Sequence, residues 1–124
     1  MKYPKSAKEL KRLKKKKALR ARMSGTAGVP RLVVFRSNRH IYAQLVNDLE
    51  GRVMFGSADL HENVKGQLKD DSTKTDASVA LGKAIAEKAK AEGIKKVVFD
   101  RNGFKYHGRV KAFADSVRAE GLEC

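Results

Sequence analysis

Tryptophan is absent from this 124-residue sequence, which also contains one cysteine and two prolines. The cysteine, Cys124, is the last residue, so the sequence excludes a disulfide framework and a cysteine-based zinc site. No run approaches the roughly 18 uninterrupted apolar residues of a membrane-spanning helix, and the charged N-terminal segment lacks the apolar stretch of a secretory signal. We therefore expect an intracellular, soluble protein whose length suits one domain.

Acidic side chains are also scarce, since 14 Asp and Glu accompany 28 Lys and Arg and leave a net charge of +14. Such an excess favours a polyanionic partner, nucleic acid before an anionic membrane surface. Residues 1–25 hold eleven of the cations and one anion. We interpret residues 1–29 as a basic N-terminal extension, disordered or partly helical until RNA binds it, and residues 30–124 as a single domain. A solvated tail that aids solubility or localisation is the alternative.

Apolar patterning after Pro30 predicts an α/β fold that begins with three strands. The strands are expected at residues 32–35, 40–47 and 52–58, where apolar residues cluster or alternate with polar ones. Short polar turns separate them, so they should form a three-stranded antiparallel meander.

The second half of the sequence predicts α-β-α. Residues 59–74 are polar and predict a loop, followed by a helix from Thr75 or Asp76 to Glu92, a strand at 96–100 and a helix at 108–120. A right-handed crossover makes the third and fourth strands parallel. Placing the fourth beside the first gives a mixed four-stranded sheet of order 3-2-1-4 with packed helices, in which the first and fourth strands end at one edge.

Two segments that combine cations with aromatic rings should therefore form one surface. Arginine forks suit phosphate groups, aromatic rings can stack on bases, and the helix start near residue 108 offers unpaired amides to a phosphate. The first segment contains Arg36, Ser37, Asn38, Arg39, His40 and, two residues on, Tyr42. The second, at residues 100–111, contains Arg101, Lys105, Tyr106, His107, Arg109 and Lys111.

Each segment also has an ordinary structural interpretation. The first could be a hairpin with exposed charge. The second could be a turn at Asn102-Gly103 with an aromatic ring packed beneath it, and we expect Phe104 or Tyr106 to lie in the core.

Catalysis has little support, so we expect neither an enzyme nor a cofactor or metal. His40, His61 and His107 lack metal-ligand spacing. A meander followed by α-β-α is also the ribonuclease H architecture, but such nucleases need clustered carboxylates for Mg²⁺. The first strand has no Asp or Glu, and Asp100 is followed by Arg101. We expect Asp100 to cap a turn or to pair with Arg101 or Arg109.

Residues 30–48, PRLVVFRSNRHIYAQLVND, and residues 93–123, GIKKVVFDRNGFKYHGRVKAFADSVRAEGLE, closely resemble the bacterial large-subunit ribosomal protein eighteen, a family that binds 5S rRNA. HIYAQ and FDRNGFKYHGRV are its most specific motifs, whereas the lysine-rich extension matches only in character. The resemblance implies a structural constituent of the large ribosomal subunit. It also implies that the protein binds 5S rRNA and helps attach it to 23S rRNA in the central protuberance, as a monomer beside neighbouring ribosomal proteins and with no membrane contact.

Carried over residue by residue, the resemblance implies RNA contacts by Arg31, by residues 36–40 and 101–109, and by the extension. The residues of the extension are Lys11, Arg12, Lys14, Lys15, Lys16, Lys17, Arg20 and Arg22. Cys124 stands where the family pattern leads us to expect an aromatic residue. The alternatives are a non-specific binder of polyanions or membrane surfaces and, less favoured, a ribonuclease H-like nuclease.

Overall fold

The computed structural model describes residues 6–20, 24–66, 68 and 72–124, and its sheet has the order β3-β2-β1-β4. The predicted α/β class, the meander and the strand order are confirmed. The elements in chain order are α1 (Ala7–Arg20), β1 (Arg31–Arg36), β2 (Ile41–Asn47), β3 (Arg52–Ala58), α2 (Glu62–Lys65), α3 (Lys74–Ala91), β4 (Val98–Asp100) and α4 (Gly108–Ala119).

Strand β1 lies in the middle of the sheet, antiparallel to β2 and parallel to β4. Strand β4 is shorter than predicted, because Lys96 forms an isolated bridge with Glu123 instead of pairing with β1. The amide of Val97 donates to the carbonyl of Glu123 at 2.8 Å. The C-terminal residues therefore pair with the segment that leads into β4.

The two faces of the sheet have different neighbours. Leu32, Val34 and Leu45 are buried on the face that α3 and α4 cover, together with Phe113 of α4. Alternation along the strands directs Val33 and Phe35 to the opposite face, and Phe35 there is 42% exposed. This second face is open to solvent at Phe35.

Helix α3 begins one or two residues before the predicted start because Thr73 caps it. The Thr73 hydroxyl accepts from the amide of Asp76, and the Asp76 carboxylate accepts from the amide of Thr73. This reciprocal pair satisfies amides that a helix start otherwise leaves unbonded. Gly93, at φ +80°, follows the helix end, where a left-handed residue suits glycine.

The prediction of an uninterrupted loop over residues 59–74 is wrong, since residues 62–65 form the one-turn helix α2. Val64 is fully buried in the core and anchors this turn. A single apolar residue among polar neighbours gives no helical periodicity, which explains why the sequence pattern did not reveal it.

The basic extension is helical over Ala7–Arg20. Its predicted gain of order on binding RNA, and the domain boundary at residue 29, stay predictions. Gly25 already contacts the domain, because its amide donates to Asp48 Oδ2 at 2.6 Å and its carbonyl accepts from the amide of Asp48. A side chain at Gly25 would meet the Arg31 amide nitrogen at 2.3 Å.

Gly82 sets the spacing between α3 and α4, because a Cβ atom there would lie 2.7 Å from the Phe113 carbonyl oxygen. We predict that Gly82→Ala lowers the free energy of unfolding by about 1–3 kcal/mol through overpacking. Alanine at an unobstructed helix position would instead stabilise by about 1 kcal/mol. Urea unfolding, with the exposed neighbour Lys83→Ala as control, measures the difference, and a stabilised Gly82→Ala variant would contradict this packing.

Candidate nucleic-acid interface

The predicted meeting of the two basic segments is confirmed by a direct hydrogen bond. Arg109 Nη2 donates to the carbonyl oxygen of Ser37 at 2.7 Å. Ser37 follows β1 and Arg109 lies in the first turn of α4, 72 residues later. The parallel pairing of β1 with β4 brings both segments to the same edge.

The turn after β1 is closed by hydrogen bonds between Ser37 and His40. The Ser37 amide donates to the His40 carbonyl at 2.9 Å, and the His40 amide donates to Ser37 Oγ at 3.2 Å. Asn38 and Arg39 between them are exposed. His40 Nδ1 lies 3.3 Å from Asp59 Oδ1, so a carboxylate adjoins this otherwise basic edge.

The loop after β4 is a tight turn at Asn102-Gly103, whose φ angles are +56° and +76°. Asp100 Oδ1 accepts from the Asn102 amide at 2.8 Å, and Arg101 Nη1 donates to the Phe104 carbonyl at 2.7 Å. Phe104 is 9% exposed, so the expectation that one of the two loop aromatics is a core residue is confirmed. Lys105 beside it is exposed.

Guanidinium groups from two distant segments stack on Phe104. The Arg12 guanidinium lies 4.6 Å from the ring centroid, and that of Arg36 lies 5.0 Å from it. Arg12 Nη1 also donates to the carbonyl of Asn102 at 3.0 Å. Cation–π attraction favours this arrangement, and it joins α1 to the edge formed by the other segments.

Phe35 is a further candidate, which the sequence pattern alone did not identify. Its ring centroid lies 6.0 Å from that of Tyr42 and 5.6 Å from that of Phe104, and Arg12 lies 5.8 Å from it. The run LVVF predicts a strand, but a strand has two faces. Side chains alternate between the two faces of a strand, so Phe35 lies on the face opposite the buried Leu32 and Val34. This alternation could have identified Phe35 as an exposed ring.

Arg31 is held inside the protein by two carboxylates. Its Nε and Nη2 donate to Asp48 at 2.9 and 3.0 Å, and its Nη1 donates to Asp100 Oδ2 at 2.6 Å. The hydrogen bond to Asp48 is the main cause that raises the pKa of Arg31, against an opposing effect of burial. The expectation that Asp100 caps a turn is confirmed by its hydrogen bond from the Asn102 amide. The ion pair that the structure shows for Asp100 is with Arg31 on the neighbouring strand, rather than with Arg101 or Arg109 as the alternative had it.

The structure separates some predicted site residues from this edge. Tyr106 packs against Phe99, on the helix-covered face, with ring centroids 6.3 Å apart, and its hydroxyl accepts from Arg118 Nη1 at 2.5 Å. Lys111 Nζ lies 2.9 Å from Asp115 Oδ2, and this hydrogen bond raises the pKa of Lys111. Their roles in binding RNA stay predictions, as does that of Arg31, whose side chain is only 12% exposed.

The remaining predicted residues are mostly accessible. His107 is exposed at the N-cap of α4, and Arg101 is half-buried. Burial, followed by repulsion from Arg36, lowers the pKa of Arg109. Arg22 lies outside the described residues, and Arg20 ends α1. Along that helix, exposed side chains belong to Lys11, Lys14, Lys15 and Lys17, and partly buried ones to Arg12 and Lys16.

Among the described residues, no group of three or more His, Cys, Asp or Glu side chains is arranged to hold a metal ion. Within the same ranges, no helix is both long and apolar enough to cross a membrane. The arrangement that is present consists of exposed cations around aromatic rings. Chemically, it can bind phosphates and stack on bases.

Comparison with known proteins points in the same direction. Residues 6–124 match the family described as ribosomal L18 of archaea, bacteria, mitochondria and chloroplasts. The chain is 50% identical over 112 residues to large ribosomal subunit protein uL18 of Lactobacillus acidophilus, covering 90% of this chain and 91% of that protein. It is 46% identical to the uL18 of Staphylococcus haemolyticus over 112 residues, with the same coverage. It is 49% identical to that of a Synechococcus species over 110 residues, covering 89% and 90%.

The ion pair between Arg31 and Asp100 gives a prediction about stability. Asp100→Asn should lower the free energy of unfolding by about 3 kcal/mol, because Asp100 is fully buried and its loss leaves the guanidinium less compensated. Asp115→Asn removes an exposed carboxylate paired with Lys111 and should change stability little. Urea denaturation compares the two variants, and an Asp100→Asn protein as stable as the wild type would contradict the assigned pairing.

Proposed function

The chain belongs to the ribosomal L18 family, and from this premise we propose that, as a constituent of the large ribosomal subunit, it binds 5S rRNA and helps attach it to 23S rRNA in the central protuberance. The ribosome then places it in the cytoplasm, with neighbouring ribosomal proteins as further partners. The relatives are structural ribosomal proteins rather than enzymes, so the function is binding rather than catalysis. The observation that supports this proposal most directly is the hydrogen bond from Arg109 to Ser37, because it makes one surface of the two basic segments.

Charge provides most of the affinity in this proposal. Arg39 and Lys105 are exposed at the edge, and α1 adds exposed lysines beside them. Each phosphate neutralised by such a side chain releases counterions, which favours binding at low salt. Charge alone would not distinguish one RNA from another.

Aromatic rings and the shape of the edge provide the selectivity. Phe35 is exposed beside Tyr42, on a sheet face with room for an unpaired base. Proteins read RNA mainly through unstacked bases and backbone shape, because the major groove of an RNA duplex is deep and narrow. We therefore expect the edge to favour a folded RNA with unpaired bases over a regular duplex.

The net charge of +14 supports a second candidate, a non-specific polyanion binder. The structure gives the nuclease alternative no support, because Asp100, on which it depends, is fully buried and bound to Arg31. The two binding functions differ in how much specificity survives when salt screens the charges.

A competition titration separates these candidates. Labelled 5S rRNA is bound by the full chain and competed with excess tRNA and duplex DNA, at about 50 and 200 mM salt, because electrostatic binding weakens steeply over this range. We expect the preference for 5S rRNA to persist at the higher salt. Displacement of the labelled 5S rRNA by tRNA and by duplex DNA to the same extent as expected for unlabelled 5S rRNA would favour the non-specific binder.

Two arginines at the edge should contribute measurably to 5S rRNA binding. We predict that Arg39→Ala and Arg109→Ala each weaken it by about 1–3 kcal/mol, the size of a charge-assisted hydrogen bond. Lys83→Ala removes one positive charge from the exposed side of α3 and serves as the control. Filter-binding or fluorescence titration measures the affinities. If both arginine variants bind as tightly as Lys83→Ala, the edge is not the RNA surface.

Removal of residues 1–20 should mainly reduce the salt dependence of binding. This segment carries ten cations and one anion, so the slope of log affinity against log salt should become shallower by about 0.7–0.9 for each phosphate that the extension neutralises. The cut precedes Gly25, which is bonded to Asp48, so the domain should still unfold cooperatively. An unchanged slope would mean that the extension binds no phosphates.

A further inference from the structure

We propose that α1 and the turn at residues 102–105 form one composite groove that binds a single-stranded stretch of RNA, with Phe35 stacking on an unpaired base. The proposal deepens the proposed function and rests on it in one respect, that the ligand is RNA. It places the bound RNA strand in the groove between the extension and the domain, so that side chains of both contact it. It also predicts that the extension is docked before RNA arrives.

The first support is the close approach of two backbones. Gly103 packs against α1 so tightly that a Cβ atom there would lie 2.2 Å from the Arg12 carbonyl oxygen and 3.0 Å from the Lys16 amide nitrogen. Backbone atoms cannot move aside as the end of a flexible side chain can. Glycine at residue 103 is therefore a condition for docking α1 in this position.

The second support is the stack around Phe104. Arg12 lies over the ring and donates to the carbonyl of Asn102, the residue before Gly103. A planar guanidinium can stack and donate at the same time, which an ammonium cannot do. Arg12 therefore holds the helix in register with the turn.

The third support is the groove that this docking creates, with a volume of about 740 Å³. One wall carries Lys8, Lys11 and Lys15 from α1, and the other carries Arg36 and Lys105. Glu9 is the acidic residue among those that line it. Cations on both walls suit a phosphodiester backbone that runs between them.

Phe35 lines the same groove, and its ring is 42% exposed. It also lines a shallow depression on the open face of the sheet, beside Tyr42 and Gln44. A base turned out of a single strand can lie against this ring while its phosphates stay between the lysines. A paired base in a duplex has both faces covered by its neighbours, so a duplex should use the cations without the ring.

Docking is tested first, on the full chain without RNA. Amide hydrogen exchange is compared in the wild type, Gly103→Ala and Gly93→Ala. Gly93 has a similar φ of +80° but nothing within 4 Å of the added Cβ, so it controls for backbone strain. We expect amide exchange over residues 9–18 to be about tenfold faster in Gly103→Ala than in the wild type. In Gly93→Ala it should match the wild type. Equal exchange in the two variants, or an unprotected wild-type helix, would overturn docking.

Stacking is tested with an oligouridylate of about eight nucleotides and an abasic strand of the same length. Phe35→Leu should weaken binding of the oligouridylate about tenfold, as expected for the loss of one stacked base, and should leave the abasic strand unaffected. Phe55→Leu is the matched control, since Phe55 lies on β3 and packs against the core. Equal effects of Phe35→Leu on both strands, or no effect on either, would overturn the role of the ring.

The composite nature of the groove is tested by Gly103→Ala in the same assay. It should weaken binding of both strands, because undocking separates the lysines on α1 from Arg36 and Lys105 on the domain, while Gly93→Ala should not. If Gly103→Ala binds both strands as tightly as the wild type does while the preference for 5S rRNA is retained, this inference alone is contradicted. Intact groove binding without a preference for 5S rRNA would contradict the proposed function instead.

Discussion

The buried ion pair between Arg31 and Asp100 joins β1 to β4, with 2.6 Å between the guanidinium nitrogen and the carboxylate oxygen. The same guanidinium bonds Asp48, which in turn holds Gly25. One arginine thus connects the parallel strands, the turn after β2 and, through Asp48, the C-terminal part of the basic extension. Because β1 and β4 are parallel, the segments that follow them, at Ser37 and Arg101, leave the sheet at the same edge. A different pairing of β4 would separate them.

In the proposed function, the extension provides mainly affinity for RNA and the edge provides mainly selectivity. The extension carries most of the excess charge, and its lysines can neutralise phosphates of any nucleic acid. The edge presents rings whose positions are fixed by packing, with two guanidinium groups within 5.0 Å of the centroid of Phe104 and Phe35 beside it. Docking of α1 against Gly103 would turn two separate binding elements into one surface. Preorganisation of this kind favours affinity, because less conformational freedom is lost on binding.

The strand order and the edge could be predicted from sequence because short turns and a right-handed crossover leave few alternatives. The helix α2 could not be predicted, since Val64 is, among the described residues of this turn, the one buried residue that anchors it. The exposure of Phe35 could not be predicted either, because an apolar run does not show which residues lie on which face of the sheet. The partner of Asp100 also escaped prediction, because Arg31 is distant in sequence and adjacent only across the parallel pair. The cation stack on Phe104 depends on where α1 lies, which no residue pattern in the extension specifies.

A single RNA surface formed by the segments after β1 and β4 is the central claim. Amide hydrogen exchange of the full chain, measured with and without 5S rRNA, tests it most directly. We predict slower exchange in the RNA complex at residues 37–40 and 101–109 together, with the outer face of α3 unchanged. Protection of only one of these segments, or protection centred on α3, would contradict a single surface at this edge.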